Sequence, residues 1–186
     1  DREQALVAVD LAAKADAVHE SVASGAAVLA VCGGYQLLGR GYRDREGAEL
    51  PGVGLLPLHT VAGERRMIGD VLLDCEWSGY TLAGFENHAG RTHLDAGATP
   101  LGRVVHGFGN DGESGFEGCR AGGVIGTYLH GPLLPRNPWL ADWLLAQAIA
   151  HRTGEAVPTF EPLEDDLEAE AHEVSAGRAR TRGGRF

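Results

Sequence analysis

The chain has 186 residues, with 26 Asp and Glu against 16 Lys and Arg, and a formal charge of −10 at neutral pH. An acidic surface repels phosphate backbones, which argues against nucleic acid as a partner. No apolar run approaches the roughly 20 residues a membrane helix needs, so the chain is read as not membrane-spanning, and the opening Asp1-Arg2-Glu3-Gln4 lacks the apolar core of a signal peptide.

Three cysteines, Cys32, Cys75 and Cys119, are too few and too scattered for a disulfide framework. They are read as free thiols in a reducing, cytoplasmic setting. The 28 glycines are about twice the average share and imply many tight turns and close backbone approaches.

Residues 4–23 predict one amphipathic helix, with Leu6, Val9, Ala13, Ala17 and Val22 on its apolar face and Gly25 as a stop. The run Ala26–Val31 has no alternation and suits a strand buried on both faces. It ends at Cys32-Gly33-Gly34, where Tyr35-Gln36-Leu37-Leu38 opens a second helix. This order points to an α/β fold.

Residues 40–57 are polar and rich in Gly and Pro, and read mostly as loop. Strand-like pieces follow at 68–75, 80–86, 103–106 and 123–129. A last helix begins at Asn137, the expected N-cap, with Pro138 in its first position. Residues 1–160 are read as one domain. Residues 161–186, acidic and then Arg-rich, are read as a flexible tail with at most one helical turn around 163–174.

Four segments carry groups suited to chemistry. A cysteine between a buried strand and a helix sits on a tight turn that needs small neighbours. The following backbone N–H groups can favour the thiolate and hold an oxyanion. A small buried hydrophobe before a Gly turn is the structural alternative for Cys32.

His130, in Gly126–Pro132, ends an apolar strand before a Gly-Pro turn and is placed to reach a cysteine at the same sheet edge. A hydrogen-bonded structural histidine is the alternative. Residues 84–92 are polar and bounded by Gly, and read as a turn whose side chains bond the local backbone. His88 and His93 lack the neighbours of a metal ligand set. In Glu64–Gly69, an arginine just before a strand, Arg65 or Arg66, could grip a carboxylate with two N–H groups, and a solvated charge pair is the default alternative. No phosphate-binding loop of the G-x-x-x-x-G-K-[ST] kind is present.

Together, Ala30-Val31-Cys32-Gly33-Gly34-Tyr35-Gln36-Leu37-Leu38-Gly39, Gly52–Pro57 with Thr60, and Thr127–Pro132 resemble the class I (triad-type) glutamine amidotransferases of the branch that includes cobyric acid synthase. The segments 84–94, 107–110 and 126–138 narrow the resemblance to the glutamine amidotransferase subunits of lipid II isoglutaminyl synthases. The resemblance spans roughly residues 1–150.

It implies a flavodoxin-like, mixed and largely parallel sheet flanked by helices. It implies Cys32 as nucleophile, His130 as acid–base group, the Gly33 N–H as oxyanion donor and Arg66 as the grip on the α-carboxylate of L-glutamine. No cofactor or metal is implied in this chain. ATP and Mg²⁺ are expected on a Mur-ligase-like partner, in a heterodimer that acts on lipid II at the inner face of a bacterial membrane.

Two departures stand out. Relatives often carry His-x-Glu, whereas Pro132 occupies the third position here. The site is therefore a Cys–His dyad, or its carboxylate arrives from elsewhere, as from the partner. The chain also begins where relatives have first strands and a Gly-rich loop, so about one βαβ unit, roughly 30 residues, is expected to be missing. The glutaminase part of a cobyrinate-amidating synthase and a non-catalytic scaffold remain alternatives at this point.

Overall fold

The computed structural model describes residues 2–182. Two helices, α1 (Arg2–Ala13) and α2 (Ala15–Ala23), replace the single one expected over 4–23. Their inward face is also different. Ala8 is buried, while Leu6 and Val9 are well exposed, and Leu11, Ala15 and Val22 pack on the first core. Because α1 is apolar almost all round, its pattern does not fix its rotation. A polar contact joins the apolar ones in tying it down: Gln4 Nε2 donates to Gln36 Oε1 at 2.7 Å.

Strand β1 (Val28–Val31) runs into α3 (Gly33–Leu38), then a short hairpin of β2 (Gly41–Arg43) and β3 (Glu49–Pro51) inside the segment read as loop. Two long strands follow, β4 (Leu58–Cys75) and β5 (Tyr80–Leu94), then β6 (Gly102–His106), β7 (Phe116–Glu117), β8 (Cys119–Ala121) and β9 (Val124–Thr127). Helices α4 (Leu133–Arg136), α5 (Pro138–Thr153) and α6 (Asp166–Arg182) close the described chain.

The strands form a three-stranded sheet, β1-β9-β8, and a six-stranded one in which β5 pairs with β4 beside the path β3-β2-β4-β6-β7. Pairing is mixed, as the resemblance implies, but mostly antiparallel rather than largely parallel, because tight hairpins and the long β4–β5 ribbon join neighbouring strands directly. β1–β9 and β2–β4 are parallel, and the β4–β5 ribbon and remaining pairs are antiparallel. The strand buried on both faces is β9, whose four residues are all buried. β1 lies at a sheet edge and buries only Ala30.

β9 also joins the cores. Val124 belongs to the core that holds Ala30, Tyr35 and Leu56, while Ile125 belongs to the one that holds Val71, Leu82 and Leu140. Gly126 leaves room for the Tyr35 ring, with which a Cβ there would collide.

The C-terminal segment departs from the expected tail. α6 is a 17-residue helix laid against β4 and β5, with Ala176 and Ala179 fully buried beside Leu72 and Ala83. His172 accepts from or donates to Thr81 Oγ1 at 2.9 Å, and its Nδ1 faces the Arg136 carbonyl at 3.0 Å. The apolar face is built from small residues, so composition alone hides it. Asn137 holds the N-cap position of α5 without a side-chain cap. Its amide instead exchanges hydrogen bonds with Ala83 N and O, stitching α5 to β5.

Candidate active site

The site begins where two parallel strands end together. Val31 of β1 pairs with Thr127 of β9, so Cys32 and His130 leave the same edge of the sheet. The Cys32 amide donates to Thr127 O at 2.9 Å, and the His130 amide donates to Phe85 O at 2.7 Å. The crevice outside the carboxyl ends of parallel strands is where α/β sheets bind ligands.

Cys32 has φ 54° and ψ −111° and is the one non-glycine residue of positive φ among the described residues. An L side chain pays of order 1–3 kcal/mol for such backbone, and residues held this way cluster at reactive sites. Burial pushes the Cys32 thiol up, partly offset by the Gly33 N–H and then by the Arg66 charge. A Cβ on Gly33 would meet nothing within 4 Å beyond its chain neighbours, so the turn is open on the Gly33 side.

The other thiols differ. Cys75 and Cys119 are fully buried and held up at about 12 and about 11, chiefly by burial, as expected for unreactive structural cysteines.

His130 Nε2 is buried without a hydrogen-bond partner. Burial holds the imidazole below its usual range, and the charges of His88 and Arg66 act in the same direction. Arg66 is thus electrostatically close to both members of the pair. It lies in a bulge of β4, where pairing with β5 shifts register between Ala62 and Met67. Its Nε donates to Asn87 Oδ1 and its Nη2 to Asn87 O, both at 2.8 Å. Three of the five guanidinium N–H groups remain for a ligand. Arg65 is exposed beside it, and its carbonyl is held by Arg91.

Sequence reasoning missed the floor of the site. Residues 84–92, read as a turn, belong to β5, and Glu86, His88, Gly90 and Thr92 alternate inward, all buried. Polar residues on an alternating strand are ordinarily assigned to the solvent face, and that rule conceals this stripe.

Here it forms a network. Gln36 Nε2 donates to Tyr128 Oη at 2.9 Å, Tyr128 Oη meets Thr92 Oγ1 at 2.7 Å, and Thr92 meets Thr60 at 2.8 Å. Gly90 leaves the room for it, since a Cβ there would strike Gln36, Thr60 and Tyr128. His88 and His93 face opposite sides of β5 and do not converge. No group of three or more metal-ligating side chains occurs among the described residues.

Residues 1–138 match the family of CobB/CobQ-like glutamine amidotransferase domains. The chain belongs to this family. It is 42% identical over 181 residues to the lipid II isoglutaminyl synthase (glutamine-hydrolyzing) subunit GatD of Staphylococcus aureus (strain N315), across 96% of this chain and 72% of that protein. The GatD subunit of Streptococcus pneumoniae (strain ATCC BAA-255 / R6) is 39% identical over 166 residues, 88% of this chain and 64% of that one.

A cobyric acid synthase of Synechococcus sp. (strain CC9605) is 38% identical over 149 residues, which is 75% of this chain but 28% of that longer protein. A crystal structure of a glutamine amidotransferase shares the fold, with a TM-score of 0.51 at 21% identity over 72% of this chain and 67% of that one. In this amidotransferase domain, Cys32, Gly33, His130 and Arg66 all lie around the crevice at the ends of β1 and β9.

Proposed function

We propose that the chain is the glutaminase subunit of a lipid II isoglutaminyl synthase. The observation that carries this reading is the strained Cys32 turn clipped to Thr127, which places a half-buried thiol and an unpartnered His130 at one sheet edge. The GatD relatives, matched along nearly the whole chain, supply the substrate class.

The chemistry follows from the groups present. His130, kept neutral chiefly by its burial, takes the Cys32 proton. The thiolate attacks the side-chain amide carbon of L-glutamine, and the Gly33 N–H, already directed at the sulfur, receives the developing oxyanion. His130 returns the proton to the nitrogen as the C–N bond breaks. Ammonia leaves, and a γ-glutamyl thioester remains on Cys32. Water then attacks the thioester, its proton passing to His130 and on to the sulfur, and glutamate is released. The free N–H groups of Arg66 hold the α-carboxylate of glutamine in a forked contact.

The ammonia passes to a Mur-ligase-like partner subunit, where ATP and Mg²⁺ activate the α-carboxylate of D-glutamate in the lipid II stem peptide, giving D-isoglutamine. Lipid II is membrane-bound, so the complex works at the inner face of the bacterial membrane. No helix among the described residues is long and apolar enough to cross it. Pro132 occupies the position of the usual orienting Glu, and a carboxylate from the partner would couple hydrolysis to assembly.

The test is glutamate release from L-glutamine by the subunit, alone and with the co-expressed partner, ATP and lipid II. Release coupled to amidated lipid II, and lost in Cys32→Ser, is expected. Glutamate release without lipid II amidation would redirect the reading to another acceptor, cobyrinate first. No release from the folded complex would leave a scaffold.

A further inference from the structure

Among the described residues, three buried side-chain polar atoms lack a hydrogen-bond partner, and two of them are imidazole nitrogens at this site, His130 Nε2 and His88 Nε2. The first faces the reaction. The second has no role in the chemistry above, and an unpaired buried nitrogen calls for an explanation.

His88 is 2% exposed and lies flat on the Tyr128 ring, with centroids 3.5 Å apart and planes 4° from parallel. Its Nδ1 faces the Gly90 carbonyl at 2.9 Å, so Nδ1 carries the hydrogen. Its Nε2 lies 3.5 Å from Glu86 Oε2. Glu86 is fully buried and fixed from behind, since Oε1 accepts from Phe108 N at 2.6 Å and Oε2 from Gly109 N at 3.0 Å.

A neutral His88 with its hydrogen on Nδ1 would aim the Nε2 lone pair at a carboxylate lone pair. One proton between the two atoms turns that repulsion into a charge-assisted hydrogen bond after a small closure. The same strand reaches the catalytic histidine, because Phe85 O, one residue before Glu86, receives the His130 N–H.

We propose that Glu86 and His88 are positioning residues for the Cys32–His130 pair, holding one buried proton between Glu86 Oε2 and His88 Nε2 and presenting a positive imidazolium toward His130. That charge keeps the His130 imidazole in the neutral form that takes the Cys32 proton. The groups facing this pair are His130 and Tyr128 from the β9 end, Arg66 from β4, Glu117 from β7 and Cys32 beyond Tyr128. Neither Glu86 nor His88 touches the substrate in this scheme. The inference rests on the assignment of His130 as the acid–base group.

Two measurements test it. In the first, the protonation of each ring nitrogen is read by imidazole ¹⁵N NMR of the wild-type subunit near neutral pH. His88 is expected to carry hydrogen on both nitrogens while His130 carries one. A His88 with a bare Nε2 overturns the proposal, whatever the enzyme's activity.

In the second, kcat/KM for glutamine hydrolysis by the complex is followed against pH in wild type and His88→Gln. Removing the imidazolium leaves the Glu86 carboxylate facing His130. The acidic limb should then move to higher pH by about one unit, with KM for glutamine within about twofold. A lower kcat with an unmoved limb would mean that His88 only fills space, and overturns the proposal. If His88→Gln does not fold, the wild-type NMR result decides alone. Failure of the functional reading looks different, with glutamate release surviving in Cys32→Ser.

Discussion

The amide of Cys32 donates to the carbonyl of Thr127 at 2.9 Å, and this one bond sets the distance between the nucleophile and the loop that carries His130. It holds only if β1 and β9 stay in register, and the register depends on close packing at Gly126, which pairs with Ala30 and lies against the Tyr35 ring. Gly126→Val should therefore force Tyr35 out of its place. Overpacking of this kind costs about 1–3 kcal/mol, visible as a lower urea midpoint, and glutamine hydrolysis should fall with it. A variant as stable as wild type would mean that the sheet absorbs the side chain without moving.

Arg66 is held by Asn87 but keeps free N–H groups. If these take the α-carboxylate of glutamine, Arg66→Ala should raise KM by about tenfold or more, equivalent to roughly 1.4 kcal/mol or above, with a smaller effect on kcat. Arg66→Lys should not recover it, because an ammonium cannot hold Asn87 and a carboxylate with one planar fork. Steady-state kinetics of the complex with L-glutamine separate the two parameters. An unchanged KM in both variants would move the carboxylate grip elsewhere.

Much of this site is legible in the amino-acid order alone. Cys32, Gly33 and His130 stand beside short apolar runs bounded by glycine, and local pattern places such residues at strand ends. The floor is not legible in that way. Glu86 and His88 are charged or polar yet face inward, and only the tertiary partners Phe108, Gly109, Gly90 and Tyr128 make that orientation tolerable. Likewise, α6 hides its contact face because Ala176 and Ala179 bury well against Leu72 and Ala83 while adding little to an apolar pattern. α1 turns Ala8 and Leu11 inward and bonds Gln4 to Gln36, a set of tertiary contacts that no helical period encodes.

The α6 contact makes its own prediction. Ala176 and Ala179 have no exposed surface, so a larger side chain has nowhere to go. Ala176→Leu should cost about 1–3 kcal/mol, whereas Val174→Leu on the half-exposed side should be near neutral. Thermal unfolding of the two variants in parallel checks this. Equal melting temperatures would show that α6 does not need its close fit.

Glu117 predicts a pH dependence. It is fully buried and held up at about 8 against an ordinary 4.5, first by burial and further by Glu86, although Tyr128 N and Thr127 Oγ1 donate to it and pull the other way. Between those values the folded chain keeps a proton that the unfolded chain has released. Stability should therefore fall as pH rises from about 4.5 to about 8, by at most about 1.4 kcal/mol per pH unit for one proton. In Glu117→Gln that slope should flatten. Urea unfolding at several pH values compares the two chains, and parallel slopes would rule out Glu117 as the source.

The strained turn gives the sharpest contrast between stability and activity. Cys32 adopts φ 54° and ψ −111°, a conformation that glycine reaches without a Cβ clash. Cys32→Gly should release strain and raise stability by about 1 kcal/mol, the lower end of the cost of such backbone, while glutamine hydrolysis disappears. Cys32→Ser keeps the Cβ, so it should lose hydrolysis without that gain. Denaturant unfolding of the two inactive variants isolates the backbone effect, because both lack the thiol and differ in the Cβ and hydroxyl. If Cys32→Gly were no more stable than Cys32→Ser, the turn would carry no strain, and the geometry that presents the thiol would need another cause.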